Sequence, residues 1–383
     1  MDDKAFQNPN GELITANGYS LFVPTPLPPS LSYSNRLAYQ ISDSHIKLGR
    51  LAGIGQLLPN PQILIAPYLR REAVLSSRIE GTQASLSDLF LYELVGEGSF
   101  EDTYTRVKEV RNYVRALELC LRRIRRRRQR IDLDMIRTAH RILLQGVRGA
   151  ERNPGQFRKA QNWIGAPGSK IEDAVYVPPR PEHLATAMKD IEQFIQNPPD
   201  EMPVLVQCAV LHYQFESVHP FVDGNGRIGR LLITLFLCEK KILPHGLLYL
   251  SQYLEQNKTE YFERLLGVSQ RNEWNEWVEF FLKGVSVQSS EAIGNVQKLL
   301  DLRDRYEAKL RKRHATQGAH LLKDGLFSNP YTTVKNASEF LKVTFVTGQA
   351  TINVLVGEGI LVEMTKRKRD RIYVAPEVIN ILK

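Results

Sequence analysis

Twelve residues, "HPFVDGNGRIGR" at 219–230, gather an imidazole, a carboxylate, three glycines, an asparagine and two arginines. Gly224 and Gly226 free the backbone to turn several amide N–H groups toward one point, directly ahead of an apolar helical run. That is an anion nest on the positive end of a helix dipole, and phosphate is its natural occupant. Asp223, one residue earlier, is placed to hold a divalent ion against that phosphate, since Mg²⁺ takes few protein carboxylates alongside phosphate oxygens. Arg227 and Arg230, three apart, share a helix side and can neutralise outer phosphates. His219, stiffened by Pro220 and with an ordinary pKa of about 6.5, can accept a proton from an attacking hydroxyl. Phe221 would anchor the turn. The set describes transfer of part of a nucleotide to a hydroxyl.

Other readings of the same glycines fail on context. Gly224, Gly226 and Gly229 spell G-x-G-x-x-G, but a helical segment precedes them where a dinucleotide fold needs a strand. A calcium loop would need oxygen ligands and a closing acid where Arg227 and Thr234 stand. The lysine of a P-loop is also absent. His140 and His212, each alone at an apolar helical position, are expected to be satisfied core histidines.

The elements that must position this run are helical. From Pro203, Val204, Cys208, Leu211 and Phe215 recur on one face of a helix leading into His219, and Ile228–Glu239 is apolar nearly all round, which predicts a buried central helix. Upstream, "AGIGQ" and "LPNP" are expected to break helix within 31–58. Apolar positions Ile63, Ala66, Leu69, Ala73 and Ile79 predict a helix over 61–80 capped by Gly81. Helices near 85–95, 101–124, 132–146, 182–196, 251–267 and 272–312 follow. Residues 153–182, rich in Gly and Pro with "QNWIG" and "DAVYV" around a polar turn, predict an exposed hairpin or flap. Residues 1–30, ending in "VPTPLPPS", read as an extended arm. Beyond 330 the order helix, helix, basic-tipped hairpin is that of a winged helix-turn-helix.

At 383 residues the chain is long enough for more than one core, and no apolar run approaches a membrane span. No export signal opens it, so the cytoplasm is expected. Cys120, Cys208 and Cys238 are spaced as reduced core residues. The net charge of +9 concentrates in Arg122–Arg130 and Lys366–Arg371. Both runs read as solvated surface, with nucleic-acid phosphates as the alternative partner.

The 219–230 run resembles the motif HxFx(D/E)GNGRxxR of Fic-domain proteins, with every specified position matched. The resemblance implies a mainly α fold: a Fic-type core of six to eight helices, a β-hairpin flap that holds a target side chain, and here a small C-terminal winged helix-turn-helix. The organisation expected is an arm (1–30), an N-terminal helical region (31–100), a catalytic core (101–290), and a linker helix with the terminal module (291–383). It implies an adenylyltransferase using ATP and Mg²⁺ that moves AMP to a Ser, Thr or Tyr hydroxyl of a protein. By position, His219 is then the general base, Asp223 the Mg²⁺ ligand, and Gly224, Asn225 and Gly226 the phosphate cradle. Arg227 falls to the β-phosphate and Arg230 to the γ-phosphate, with Ile228 and Gly229 between them. Tyr261, Phe262 and Leu265 are expected at the adenine. Doc-type kinases carry lysine where Gly226 stands, which argues against phosphorylation.

"SSRIEG" (76–81) resembles the inhibitory motif (S/T)xxxE(G/N), through Ser76, Glu80 and Gly81. It implies that Glu80 pairs with Arg230 and keeps it from the γ-phosphate, within one chain. Removal of AMP, with the glutamate positioning water, is the other direction that the resemblance allows. A target protein docked on the 160–180 flap and a homodimer are the expected partners. A DNA-binding regulator with a sensing core, and a phosphotransferase, are the competing readings.

Overall fold

The structure is a computed structural model that describes residues 1–16, 18–57, 62–96, 104–166, 168–243, 248–365 and 370–382. The N-terminal segment is more than an arm. Strands β1 (Gly11–Ala16) and β2 (Tyr19–Pro24) pair antiparallel, with Leu13 opposite Phe22 and Thr15 opposite Ser20. The prolines that argue for an isolated extended chain begin only at its end; before them "GELITA" and "YSLFVP" alternate around an Asn-Gly pair, the strongest short hairpin signal. β2 buries Leu21 and Phe22.

Helices α1 (Asn35–Leu57), α2 (Gln62–Ile79) and α3 (Leu86–Val95) follow. α1 continues through "AGIGQ", contrary to the break expected there. Each interior glycine costs about 1 kcal/mol, but α1 lies along the long helix α11 (Trp274–Lys312) and buries Leu37, Leu48 and Leu51. That burial outweighs propensity, at roughly 1.5–3 kcal/mol per leucine. "LPNP" lies outside the described residues. α3 opens with a capping box in which Ser85 Oγ accepts from the Asp88 amide and Asp88 accepts from the Ser85 amide.

The core continues with α4 (Tyr104–Arg127), α5 (Leu133–Leu143), α6 (Pro181–Gln196), α7 (Val204–Val218), α8 (Asn225–Glu239), α9 (Ser251–Gln256), α10 (Lys258–Arg271) and α11 (Trp274–Lys312). α8 is the central helix, packed by α2, α4, α5 and α7. Residues Ile228 to Cys238 are all buried.

The flap is less of a hairpin than its sequence predicts. Its only named pairing among the described residues is one antiparallel bridge, Ile164 to Tyr176. Pro178 and Pro179 have no N–H to extend a ladder, and the Val177 carbonyl accepts instead from the Phe22 amide at 2.9 Å. The N-terminal hairpin thus braces the flap.

After α11 come α12 (Gln317–Gly325), β3 (Tyr331–Thr333), α13 (Val334–Leu341), α14 (Phe345–Gly357), β4 (Val362–Glu363), β5 (Ile372–Val374) and α15 (Pro376–Leu382). The three strands form an antiparallel sheet in the order β3-β5-β4. α11 crosses position 290, where a boundary was expected, without interruption. Buried apolar residues from Leu37 to Leu382 belong to one cluster. Lys366–Arg369, the basic tip, lie outside the described residues. No single helix among the described residues is long and apolar enough to cross a membrane. Cys120, Cys208 and Cys238 are buried and form no disulfide among the described residues.

Candidate active site

α7 ends at His219, whose backbone is left-handed (φ 48°, ψ 60°). A non-glycine residue held there costs roughly 1–2 kcal/mol, so its surroundings must enforce the turn. They do: the His219 amide donates to the Phe215 carbonyl at 3.1 Å, and Arg158 Nε donates to the His219 carbonyl at 2.9 Å. Nδ1 lies 3.1 Å from the Glu216 carbonyl oxygen. That oxygen can only accept, so Nδ1 carries the proton and Nε2 is left with its lone pair. Burial pulls the imidazole pKa down to about 4, with Arg158 adding to the effect and the Glu216 bond opposing it. The ring is neutral at physiological pH.

The turn after His219 is held by side chains. Phe221 is fully buried; Asn225 Oδ1 accepts from its amide and Asn225 Nδ2 donates to its carbonyl, both at 2.8 Å. Asn225 therefore shapes the cradle and does not reach out of it. Gly224 caps α8 with φ 79°, a conformation that favours glycine. The first bond after it runs from the Ile228 amide to the Gly224 carbonyl at 3.1 Å. The amides of Asn225, Gly226 and Arg227 precede that bond and form the positive end of the helix.

Both arginines are buried. Arg227 Nη2 is 3.5 Å from Asp223 Oδ1 and its Nη1 is 3.9 Å from Glu109 Oε2, while Nε and Nη1 have no hydrogen-bond partner. Arg230 is engaged at two of its nitrogens: Nε donates to Ser76 Oγ and Nη2 to the Ser76 carbonyl, each at 2.9 Å, and Nη2 also meets Glu80 Oε1 at 2.6 Å. Burial works against ionisation of Glu80, but the Arg230 guanidinium prevails and the pKa is lowered. Glu80 stands just past the end of α2, and Gly81 follows with φ +87°. A β-carbon at Gly226 would collide with Glu80 Oε1. The carboxylate thus lies over the cradle, and a lysine at 226 would have to displace it.

Three of the expected nucleotide contacts face elsewhere. Ile228 is fully buried in the core. Gly229 is packed against Glu216, whose Oε1 a β-carbon there would strike. Tyr261 is 1% exposed and its hydroxyl pairs with His212 Nε2 at 2.8 Å, within a group that includes Trp277. Helical spacing does not tell an inward ring from an outward one. Phe262 beside it is 47% exposed.

Three residues of the site escaped the sequence reading, and a fourth reads there only as core. Arg158, buried, ties the turn to the flap by donating to the carbonyls of His219 and Pro179. Glu109 faces Arg227 and accepts from Thr82 Oγ1 at 2.6 Å, just beyond the Glu80 segment. Glu216 borders Arg230, and burial pushes its pKa up to about 8. His140 is a core histidine, as expected, but it also bonds the Asp223 carbonyl. No local pattern marks any of them, because a buried charge and a solvated one look alike in sequence.

The donor set fits a magnesium nucleotide. Arg227 presents orphaned buried nitrogens, the helix presents amides, and Asp223 is a partly exposed carboxylate. Among the described residues no group of three or more His, Cys, Asp and Glu could cage a metal by itself.

Residues 39–122 match the family described as Fic/DOC family N-terminal, and residues 130–237 match the Fic/DOC family. The chain is 35% identical over 108 residues to Protein adenylyltransferase Fic of Drosophila grimshawi, covering 28% of this chain and 20% of that protein. It is 30% identical over 118 residues to Protein adenylyltransferase fic-1 of Caenorhabditis elegans, covering 30% and 20%. The matches thus span about a fifth of the length of these relatives. A crystal structure of a Fic family protein from Desulfovibrio desulfuricans shares the fold with TM-score 0.58 and 18% identity, over 91% of this chain and 98% of that one. With the two family regions together covering half of its length, the chain belongs to the Fic/DOC family.

Proposed function

We propose that this protein is an autoinhibited adenylyltransferase that transfers AMP from Mg²⁺-bound ATP to a Ser, Thr or Tyr hydroxyl of a target protein. The observation that carries the reading is the bare Nε2 of His219, fixed by the Nδ1 bond to Glu216 beside two buried arginines. The resemblance to protein adenylyltransferases of Drosophila grimshawi and Caenorhabditis elegans supports the same activity.

In this reading His219 Nε2 takes the proton of the attacking hydroxyl, whose oxygen bonds to the α-phosphorus. The bond from that phosphorus to the α,β-bridging oxygen breaks, and pyrophosphate leaves with the electron pair. Arg227 and the 225–227 amides hold the departing phosphates, and Arg230 joins them once Glu80 is displaced. Asp223 would hold Mg²⁺, which when bound would supply neutralisation of phosphate charge. The flap offers Trp163, Ile164 and Val175 as exposed apolar positions against which a target segment can lie.

The test is label transfer by the full chain carrying Glu80→Gly. Label from α-³²P-ATP, absent with γ-³²P-ATP and abolished by His219→Ala, is the expected result. Transfer of γ-label would make the protein a phosphotransferase. Release of AMP from a modified target by wild type would favour the reverse reaction, with Glu80 positioning water.

The 291–383 segment is read as a linker helix followed by a winged helix-turn-helix. α13 and α14 meet at 108°, and the β3-β5-β4 sheet follows the wing order. α14 carries no Lys or Arg, and Phe345 and Val346 at its start are exposed. This composition suits a protein contact better than a DNA groove. A salt-sensitive gel shift with duplex DNA would reverse that preference.

A further inference from the structure

His140 lies on α5, fully buried, and both of its ring nitrogens are committed. The Gly155 amide approaches Nδ1 at 2.8 Å. An N–H can only donate, so Nδ1 must present its lone pair, and the ring proton resides on Nε2. Nε2 in turn lies 2.9 Å from the backbone oxygen of Asp223, an atom that can only accept. The two contacts define one tautomer. The ring also lies flat on Phe221, with centroids 3.7 Å apart and planes 5° from parallel. A single imidazole therefore grips the 219–224 turn twice, by its face at Phe221 and by its edge at Asp223.

We infer that His140 is a positioning residue for the magnesium-nucleotide site: its fixed tautomer holds the Asp223 backbone, and so aims the Asp223 carboxylate. The inference rests on the reading of the site given above. Its logic is that of an outer partner to a metal ligand, whose loss typically costs ~10–100-fold in metal affinity. Gln at position 140 can reproduce both bonds, its amide oxygen accepting from Gly155 and its NH₂ donating to Asp223. Phe keeps the stacked ring but makes neither bond, leaving two buried backbone groups unpaired.

The first test needs no variant. In ¹⁵N spectra of histidine-labelled wild type at neutral pH, one fully buried histidine is expected with an unprotonated Nδ1 and a protonated Nε2, assigned through its absence in His140→Gln. The opposite tautomer at this residue overturns the inference. The second test measures ATP binding calorimetrically in the full chain carrying Glu80→Gly, with Mg²⁺ and with EDTA. His140→Phe is expected to lose ~10-fold of the affinity gained from Mg²⁺, with binding in EDTA nearly unchanged, and His140→Gln to restore the gain. An equal loss with and without Mg²⁺, or failure of Gln to rescue a folded protein, reduces His140 to a structural residue and overturns the inference. If the Glu80→Gly parent itself gains nothing from Mg²⁺, the magnesium reading of the site fails, and the inference fails with it, while the spectrum still reports on the His140–Asp223 bond.

Discussion

Arg230 Nη2 lies 2.6 Å from Glu80 Oε1, and its Nε lies 2.9 Å from Ser76 Oγ, so both ends of a five-residue segment bind one guanidinium. The partners are 150 residues apart along the chain. With Nε and Nη2 committed, neither fork of Arg230 donors is whole, and a phosphate would have to compete with Ser76 and Glu80 for them.

Glu80→Gly should therefore raise AMP incorporation by ~10-fold or more, since a close ionic hydrogen bond is worth ~1.5–3 kcal/mol. Radiolabel counted on the purified chain or on lysate proteins checks this. Ser76→Ala, which leaves the Glu80 pair in place, should raise incorporation far less.

Arg158→Gln should lower turnover by up to ~100-fold, the scale expected when a base shifts by about 1 Å. The guanidinium supports the His219 turn and the flap at once, and it touches no expected phosphate contact. The KM for ATP should accordingly change much less than kcat, which steady-state kinetics in the Glu80→Gly background will show.

Phe262→Ala and Tyr261→Phe should separate cleanly. The exposed ring of Phe262 is free to lie against a base, so its loss should raise the KM for ATP several-fold with little change in Tm. Tyr261→Phe removes a buried hydrogen bond to His212 and should lower stability by ~1 kcal/mol while leaving KM nearly intact. Chemical denaturation and kinetics on both variants check the contrast.

The pH dependence of transfer should be shallow near neutrality. As the proposed base, His219 must be neutral to take a proton, and burial lowers its pKa to about 4. The base is therefore available at physiological pH, and the rate should fall only as the pH drops through about 4. A limb near the ordinary histidine value of about 6.5 would mean that the ring is more solvated than its burial implies.

Stability at low pH should report on the junction of α11 and α12. Hydrogen bonds from His320 and Lys323, with a further one from Arg311, hold the Glu307 carboxyl down to about 2. A depressed carboxylate pKa contributes stability above its unfolded value, and that contribution is lost as pH falls through the folded one. The Tm of wild type should thus drop between about pH 4 and 2, and Glu307→Gln should flatten this drop.

Much of the site could be read from residues adjacent in sequence. The glycines, the cap at 224 and the arginines one turn apart act over a few residues, where chain geometry leaves little choice. The apolar run of α8 likewise announces its own burial, and "SSRIEG" carries its glycine cap with it. Facing is a different matter. Tyr261 and Phe262 are adjacent aromatics, yet one completes the core and the other meets solvent, because the packing of α10 on α7 and α11 sets the rotation of the helix. α1 runs on through the glycines of "AGIGQ" for the same kind of reason, as its partner lies more than 200 residues away. The pairing of Arg158 with the His219 turn, of Glu109 with Arg227, and of His140 with Asp223 also depends on long-range folding. Such contacts join short-range segments through buried polar atoms, and nothing in local composition distinguishes a buried charge from a solvated one until the helices have packed.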